Sequence, residues 1–185
     1  MQIARFFTKT DTDPYHDQRY LPRTAAIHGK TDRPLTIIAP ESWSQVAVDI
    51  LAHKYMRKTG VPLGDGQVGA ETDARQVFQR LAECWTFWGR QEGYFDTDED
   101  ARAFSDEMQY MLAHQIGAPN SPQWFNAGLH HAYGIEGPPQ GLWRWDPHAQ
   151  ETVQVPNAYE HPLLSACFIQ SVEDTLVNNS GIMDL

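Results

Sequence analysis

The chain has 185 residues, with 14 lysines and arginines against 24 acidic residues and a formal net charge of −10. This acidic balance argues against a binder of nucleic-acid polymers, which needs a basic face for the phosphates, but it leaves room for a single nucleotide. Only two cysteines are present and no apolar run approaches the length of a membrane span, so we expect no disulfide framework, no membrane segment and a cytoplasmic location.

The first 40 residues are predicted to form an irregular N-terminal arm. Prolines are frequent there and hydrophobic periodicity is weak, so only residues 35–38 read as a strand. Residues 41–133 follow as a helical N-terminal domain. Its first helix is predicted from Glu41, capped by Ser42, and ends before Gly60. The glycine-rich stretch 64–69 then reads as a flexible connector.

Three further helices are predicted in that domain. One covers residues 72–88, and the next runs from about 97 to 116 with Thr97 as its cap. A short one starts with Ser121 as the cap and Pro122 at its first position. The predicted secondary structure is therefore mainly α.

The last part of the chain changes character. Residues 134–162 are rich in glycine and proline and are predicted to form a long loop, with a hairpin around 142–145 and 152–155. Residues 165–172 are the clearest predicted strand of the chain, since they are short, apolar and typical of a strand buried on both faces. The final unit, 163–185, is then this strand and the start of another helix.

Few residues suggest chemistry by themselves. Cys167 lies in the predicted strand, where a thiol is usually a small core residue; the alternative is a redox or radical thiol. Cys84 fits a structural role. Ser121 is either an ordinary helix cap or part of an anion site. The histidines are too badly spaced for a metal site, and helix capping explains the acidic run at 96–100 better than calcium binding does.

The segments ESWSQVAVDILAHKYMRKTGVP, WTFWGRQEGYFDTDEDARAFSDEMQYMLAHQIGAPNSPQWFNAGL, YEHPLLSACFIQSVEDTLVN and GIMDL together closely resemble the N-terminal part of class II, vitamin B12-dependent ribonucleotide reductases. The resemblance covers nearly the whole chain. It implies a helical N-terminal domain followed by the first strand of a ten-stranded α/β barrel that this chain truncates. It also implies a nucleotide reductase that uses adenosylcobalamin, bound outside this chain.

The resemblance also implies roles for individual residues. Cys167 matches one thiol of the redox pair that reduces the 2′ carbon of the ribose and is later re-reduced by a thioredoxin-type donor; its partner would lie beyond residue 185. Ser121 matches a hydroxyl that contacts the substrate phosphate, and Ala166 a residue that helps to hold the substrate. Asp174 matches an acidic residue that binds the ribose of a dNTP or ATP effector at a homodimer interface.

The expected enzyme is thus a ribonucleoside-diphosphate reductase of the thioredoxin-disulfide type, and this chain is expected to be inactive alone. Two alternatives stay open at this point. One is a free-standing helical module for nucleotide binding or assembly, derived from the reductase domain. The other is an unrelated acidic helical protein whose cysteine belongs to its core.

Overall fold

A computed structural model describes residues 1–26, 34–139 and 141–166. Strand β1 (Tyr20–Ala25) pairs antiparallel with β2 (Leu35–Pro40), so that Tyr20 lies opposite Pro40 and Ala25 opposite Leu35. The strand predicted at 35–38 is confirmed. The prediction of an irregular arm is wrong for this part, because the segment contains a β-ladder. Its first strand, with Pro22 inside it, has little local strand signal.

Helix α1 (Gln45–Ile50) continues directly into a π-helical turn, Leu51–Tyr55, in which the N–H of Met56 donates to the carbonyl of Leu51 at 3.0 Å. Its cap is Ser44, whose hydroxyl accepts from the N–H of Ala47, and not the predicted Ser42. Val48, Leu51 and Ala52 form its buried face, whereas Val46 is 65% exposed.

The predicted flexible connector is a hairpin. Strands β3 (Val61–Gly64) and β4 (Gln67–Gly69) pair antiparallel. The two turn residues, Asp65 and Gly66, have φ angles of 49° and 76°. Positive φ at both central positions is the geometry that Asp-Gly favours in a tight hairpin.

Two long helices form the centre of the fold. Helix α2 (Ala74–Gln91) begins at a capping box made by Asp73 and Gln76, and α3 (Asp98–Ala113) begins at Thr97, whose hydroxyl accepts from the N–H of Asp100. The two helices pack against each other. Thr97 was predicted as this cap, so that assignment is confirmed.

The remaining elements are short. Helices α4 (Ser121–Asn126) and α5 (Leu129–Tyr133) flank Gly128, and strands β5 (Trp143–Asp146) and β6 (Glu151–Gln154) form an antiparallel hairpin. The hairpin predicted inside the 134–162 loop is therefore confirmed. Residues 163–166 carry no regular structure, and the rest of the predicted strand at 165–172 lies outside the described residues.

One core joins these elements. It takes residues from the first hairpin, α1, the π-helical turn, α2, the end of α3 and α4. Its largest members are Trp43, Phe78 and Trp124. The centroid of the Phe78 ring lies 5.6 Å from that of Trp43 and 6.4 Å from that of Trp124. The indole N–H of Trp43 donates to the carbonyl of Ala113 at 2.7 Å, which fixes the end of α3 to the core.

The prediction of a mainly α chain is wrong for the described residues, which contain six strands in three separate two-stranded sheets beside the helices. Those same ranges show no barrel. Each sheet is a local hairpin, and hairpins of short or proline-containing strands carry weak periodicity. Among the described residues, no helix combines the length and the apolar character needed to cross a membrane.

The N-terminal segment lies along α3 and is held by its carboxylates. Glu107 accepts from the N–H groups of Phe7 and Thr8 and from the Thr8 hydroxyl, the last at 2.6 Å. Arg5 bridges Glu99 and Asp106 at 2.9 and 2.7 Å. The acidic start of α3 thus contacts the segment 1–10 in addition to stabilising its own helix end.

Candidate functional site

Ser121 is the first residue of α4, and Asn120 is its cap: the Asn120 side chain accepts from the N–H of Gln123. The sequence prediction placed the start of this helix correctly but assigned the cap one residue too late. The Ser121 hydroxyl is therefore not used for capping. It is available for another partner.

That partner is Tyr55, the last residue of the π-helical turn. The Tyr55 and Ser121 hydroxyl oxygens lie 3.2 Å apart in an exposed position, and either one is able to donate. The Tyr55 ring stacks on Trp124 at a centroid distance of 5.6 Å and contacts Phe125 at 5.2 Å. Two hydroxyls from two different elements thus meet at the surface beside an aromatic cluster.

Backbone amides add little to this position. Pro122 has no N–H, and the N–H of Gln123 already donates to Asn120. The N–H of Trp124 points to the same Asn120 carbonyl at 3.4 Å. An anion at this place would therefore meet the two side-chain hydroxyls, without a row of free amides from residues 122–124.

A buried arginine fixes the two elements that carry these hydroxyls. Arg80 of α2 donates to the carbonyl of Tyr55 at 3.2 Å, to that of Trp124 at 2.8 Å and to that of Ala127 at 2.6 Å. These carbonyls close the π-helical turn and the end of α4. A guanidinium is well suited to satisfy the free carbonyls of two helix ends at once.

Glu71 compensates the charge of Arg80. Its Oε1 lies 2.7 Å from Nε of Arg80, and the two side chains are 0% and 1% exposed. Glu71 also accepts from the N–H of Arg57 at 2.7 Å and from the Tyr133 hydroxyl at 2.8 Å. Burial and the nearby Glu71 carboxylate raise the pKa of Tyr133, so this hydroxyl stays a proton donor to Glu71.

The turn between α4 and α5 packs tightly against α2. Gly128 has a φ of 79°, and a Cβ added to it would lie 2.1 Å from the carbonyl oxygen of Arg80. Only glycine fits at such a close approach.

The other predicted site residues are only partly covered. Ala166 and Ser165 are described and exposed, and Leu164 packs against the core that contains Trp124. The chain therefore contacts the core just before the predicted substrate residue Ala166. Cys167 and Asp174 lie outside the described residues.

Cys84 has the environment of a structural cysteine. It is 2% exposed on α2, and burial raises the pKa of its thiol to about 11. A thiol of this kind is a poor nucleophile at neutral pH. In the described ranges, no group of three or more histidine, cysteine, aspartate or glutamate residues is arranged to hold a metal ion.

Sequence reasoning missed Tyr55, Arg80, Glu71 and Tyr133. One signal was present: Arg80 lies within the run Val77, Phe78, Leu81, Ala82 that predicts the buried face of α2. A cation on such a face requires a buried partner. Nothing local indicates that the partner is Glu71, or that Tyr55 lies beside a serine 66 positions later.

Comparisons with known proteins identify the family to which this chain is similar. Residues 32–115 match a family model described as class II vitamin B12-dependent ribonucleotide reductase. Over the whole chain, the sequence is 46% identical to the vitamin B12-dependent ribonucleotide reductase of Agrobacterium fabrum and 44% identical to that of Bradyrhizobium diazoefficiens. A reductase of the same name from Rhodopirellula baltica is 37% identical over 94% of the chain.

The chain spans only part of these relatives. It covers 17% of the length of the Agrobacterium and Bradyrhizobium proteins and 16% of the Rhodopirellula protein. The family model carries the same restriction, since it describes an N-terminal region. The chain therefore belongs to the family of vitamin B12-dependent ribonucleotide reductases, to whose N-terminal region it corresponds.

Proposed function

We propose that this chain forms the N-terminal part of an enzyme that reduces ribonucleotides to deoxyribonucleotides for DNA synthesis by radical chemistry. The observation that carries the proposal is the 46% identity to a reductase across the entire chain. The substrate is a ribonucleoside diphosphate, and a dNTP or ATP acts as effector. Because the chain spans about a sixth of its relatives, it is inactive alone and acts only within the longer protein.

In this proposal Ser121 contacts the substrate phosphate and Ala166 helps to hold the substrate. The exposed Ser121 hydroxyl supports the first role, because it is free of capping and held on a rigid part of the fold. The second role has the support that Ala166 is exposed two residues after Leu164, which packs against the core. Asp174 contributes to an effector site between two copies of the enzyme.

Cys167 supplies one of two thiols that reduce the ribose. Two thiols give up two electrons and two protons and become a disulfide, while the 2′ C–OH bond of the ribose is replaced by C–H and the oxygen leaves as water. The second cysteine lies elsewhere in the longer protein. A thioredoxin-type dithiol then reduces the disulfide, which fits a location in the reducing cytoplasm.

Adenosylcobalamin supplies the radical when bound to the longer enzyme. The described residues do not fit this group. A cavity of about 650 Å³ in the described ranges is an open groove of mostly polar and charged side chains around Asp73, Arg75 and Asp106. His148 is exposed on a turn whose backbone N–H groups donate to Asp146. We assign none of the contacts of cobalamin to these residues.

The test uses the longer protein, with its two N-terminal cysteines compared directly. Cys167→Ser is expected to abolish multiple turnovers with a thioredoxin-type reductant while the protein remains folded. Cys84→Ser is the matched control and should keep wild-type turnover. Unchanged turnover in Cys167→Ser would overturn the redox role. Turnover by the 1–185 chain alone would overturn the proposal that the chain acts only within the longer protein.

A further inference from the structure

We propose that Tyr55 is a second contact for the substrate phosphate and that Arg80 is the positioning residue that sets Tyr55 beside Ser121. This inference rests on the proposed role of Ser121 and extends it. It identifies the group recognised here as a phosphate bound by two neutral hydroxyls.

The two hydroxyls lie close enough to bind one ligand together. Their oxygens are 3.2 Å apart at an exposed position, where Ser121 is exposed and Tyr55 is half-buried. Each hydroxyl is free to rotate its proton away from the other and donate outward. A phosphate, with several acceptor oxygens, is able to take both hydrogen bonds at once, whereas a ligand with one acceptor would use only one.

The two hydroxyls come from separate elements of the fold. Ser121 opens α4, and Tyr55 ends the π-helical turn. Of the next three residues, Pro122 has no N–H, and the N–H groups of Gln123 and Trp124 already donate to Asn120, so no row of free helix amides lies here. Short π-helical turns are rare in proteins, but those that occur are often found at functional sites.

The Tyr55 hydroxyl is held in a rigid position. The Tyr55 ring is stacked on Trp124 and packed on Phe125, so its hydroxyl has little freedom to leave Ser121. Groups that are already ordered lose less conformational entropy when a ligand binds. The arrangement is therefore preformed for a ligand before any ligand arrives.

Arg80 positions the two elements that carry the hydroxyls. One guanidinium holds the carbonyls of Tyr55 and Trp124, at 3.2 and 2.8 Å, and thereby joins the elements that carry the two hydroxyls. Its charge is paired with Glu71, and its side chain is 1% exposed. Arg80 thus acts through the positions of other groups and does not attract the substrate directly.

Tyr55→Phe in the full-length enzyme tests the phosphate contact. Loss of one hydrogen bond should raise KM for the ribonucleoside diphosphate about fivefold and leave kcat unchanged, because the contact is equal in ground and transition states. Binding of the corresponding nucleoside, which lacks the phosphates, should not change. Tyr94→Phe, at a tyrosine that is 58% exposed, is the matched control and should leave KM unchanged.

Arg80→Lys tests the positioning role. It should raise KM about fivefold with kcat unchanged, and adding Tyr55→Phe to it should produce little further increase because both changes act on one contact. If Arg80 had only a structural role, the effects of Arg80→Lys and Tyr55→Phe on KM would be additive. Tyr133→Phe, which removes one hydrogen bond from Glu71, should raise KM about twofold and tests the same point if Arg80→Lys does not fold.

The outcomes separate this inference from the proposed function. If Ser121→Ala raises KM and Tyr55→Phe does not, Tyr55 is not a phosphate contact and the proposed function stands. If neither substitution changes KM, the phosphate site itself is wrong, while Cys167→Ser still tests the reductase. Additive effects of Arg80→Lys and Tyr55→Phe, or an unchanged KM in Tyr133→Phe where Arg80→Lys does not fold, would overturn the positioning role.

Discussion

The Nε atom of Arg80 lies 2.7 Å from Oε1 of Glu71, and neither side chain is reached by solvent. This pair is shielded from screening by salt, and each charge depends on the other for compensation. Because Arg80 also holds the ends of the π-helical turn and α4, the pair stabilises the fold and the candidate site together.

Glu71→Gln should therefore be strongly destabilising. It leaves Arg80 charged and uncompensated inside the protein, which costs about 3–5 kcal/mol of the free energy of unfolding. Urea denaturation followed by tryptophan fluorescence measures this loss. The control is Glu41→Gln, which removes an exposed ion pair with Arg19 at 3.7 Å and should cost less than about 0.5 kcal/mol. Equal costs for the two variants would show that the buried pair contributes nothing special.

Gly128→Ala should destabilise the chain for two separable reasons. The φ of 79° disfavours any residue with a Cβ, and this Cβ would also collide with the Arg80 carbonyl. We expect a cost of about 2–4 kcal/mol. Gly66→Ala is a matched control, since its φ is 76° and its surroundings are open, and it should cost only about 1 kcal/mol. The difference in urea midpoint measures the close approach alone, and similar midpoints would contradict it.

Cys84 should be unreactive in the native chain. Burial raises the pKa of its thiol to about 11, so little thiolate exists at neutral pH. In the 1–185 chain, Cys167→Ser leaves Cys84 as the single cysteine. Ellman's reagent should label no thiol in this variant when it is folded and one thiol when it is unfolded in urea. Rapid labelling of the folded variant would mean that Cys84 is accessible and is a candidate for redox chemistry.

Much of the helical structure was predictable because its signals are local. Thr97 begins α3, as its residue type and the acids after it indicate, and the apolar face of α2 contains Val77, Phe78 and Leu81 as its periodicity requires. The β1–β2 pairing was not predictable in this way, because β1 has a proline inside it and acquires its structure by pairing with residues 10 to 20 positions away.

The candidate site shows the same division. Ser121 was found through family resemblance, and its place at the start of a helix was visible from Pro122. The contact of Ser121 with Tyr55 depends on how the π-helical turn packs against α4, which no local pattern encodes. Arg80 was detectable as a charge on an apolar face, but its three carbonyl partners lie on other elements.

The attachment of the N-terminal segment to α3 should depend on pH. Burial acts to raise the pKa of Glu107, but hydrogen bonds from Thr8 and Phe7 outweigh it and hold the pKa below its ordinary value. A carboxylate with a lowered folded pKa contributes its full stabilisation above its unfolded pKa. That contribution is lost as the pH falls through the lower folded value. The chain should therefore lose stability on acidification, partly through Glu107.

Glu107→Gln isolates this contribution. The variant should be less stable than the parent near neutral pH by about 1–3 kcal/mol, because it loses charge-assisted hydrogen bonds to two backbone N–H groups and a hydroxyl. The difference should shrink as the pH falls below about 4, where the parent carboxylate also becomes protonated. Urea midpoints measured across this range, with the exposed Glu151→Gln as the control, provide the measurement. A difference that stays constant with pH would mean that packing, and not the charge of Glu107, holds the N-terminal segment on α3.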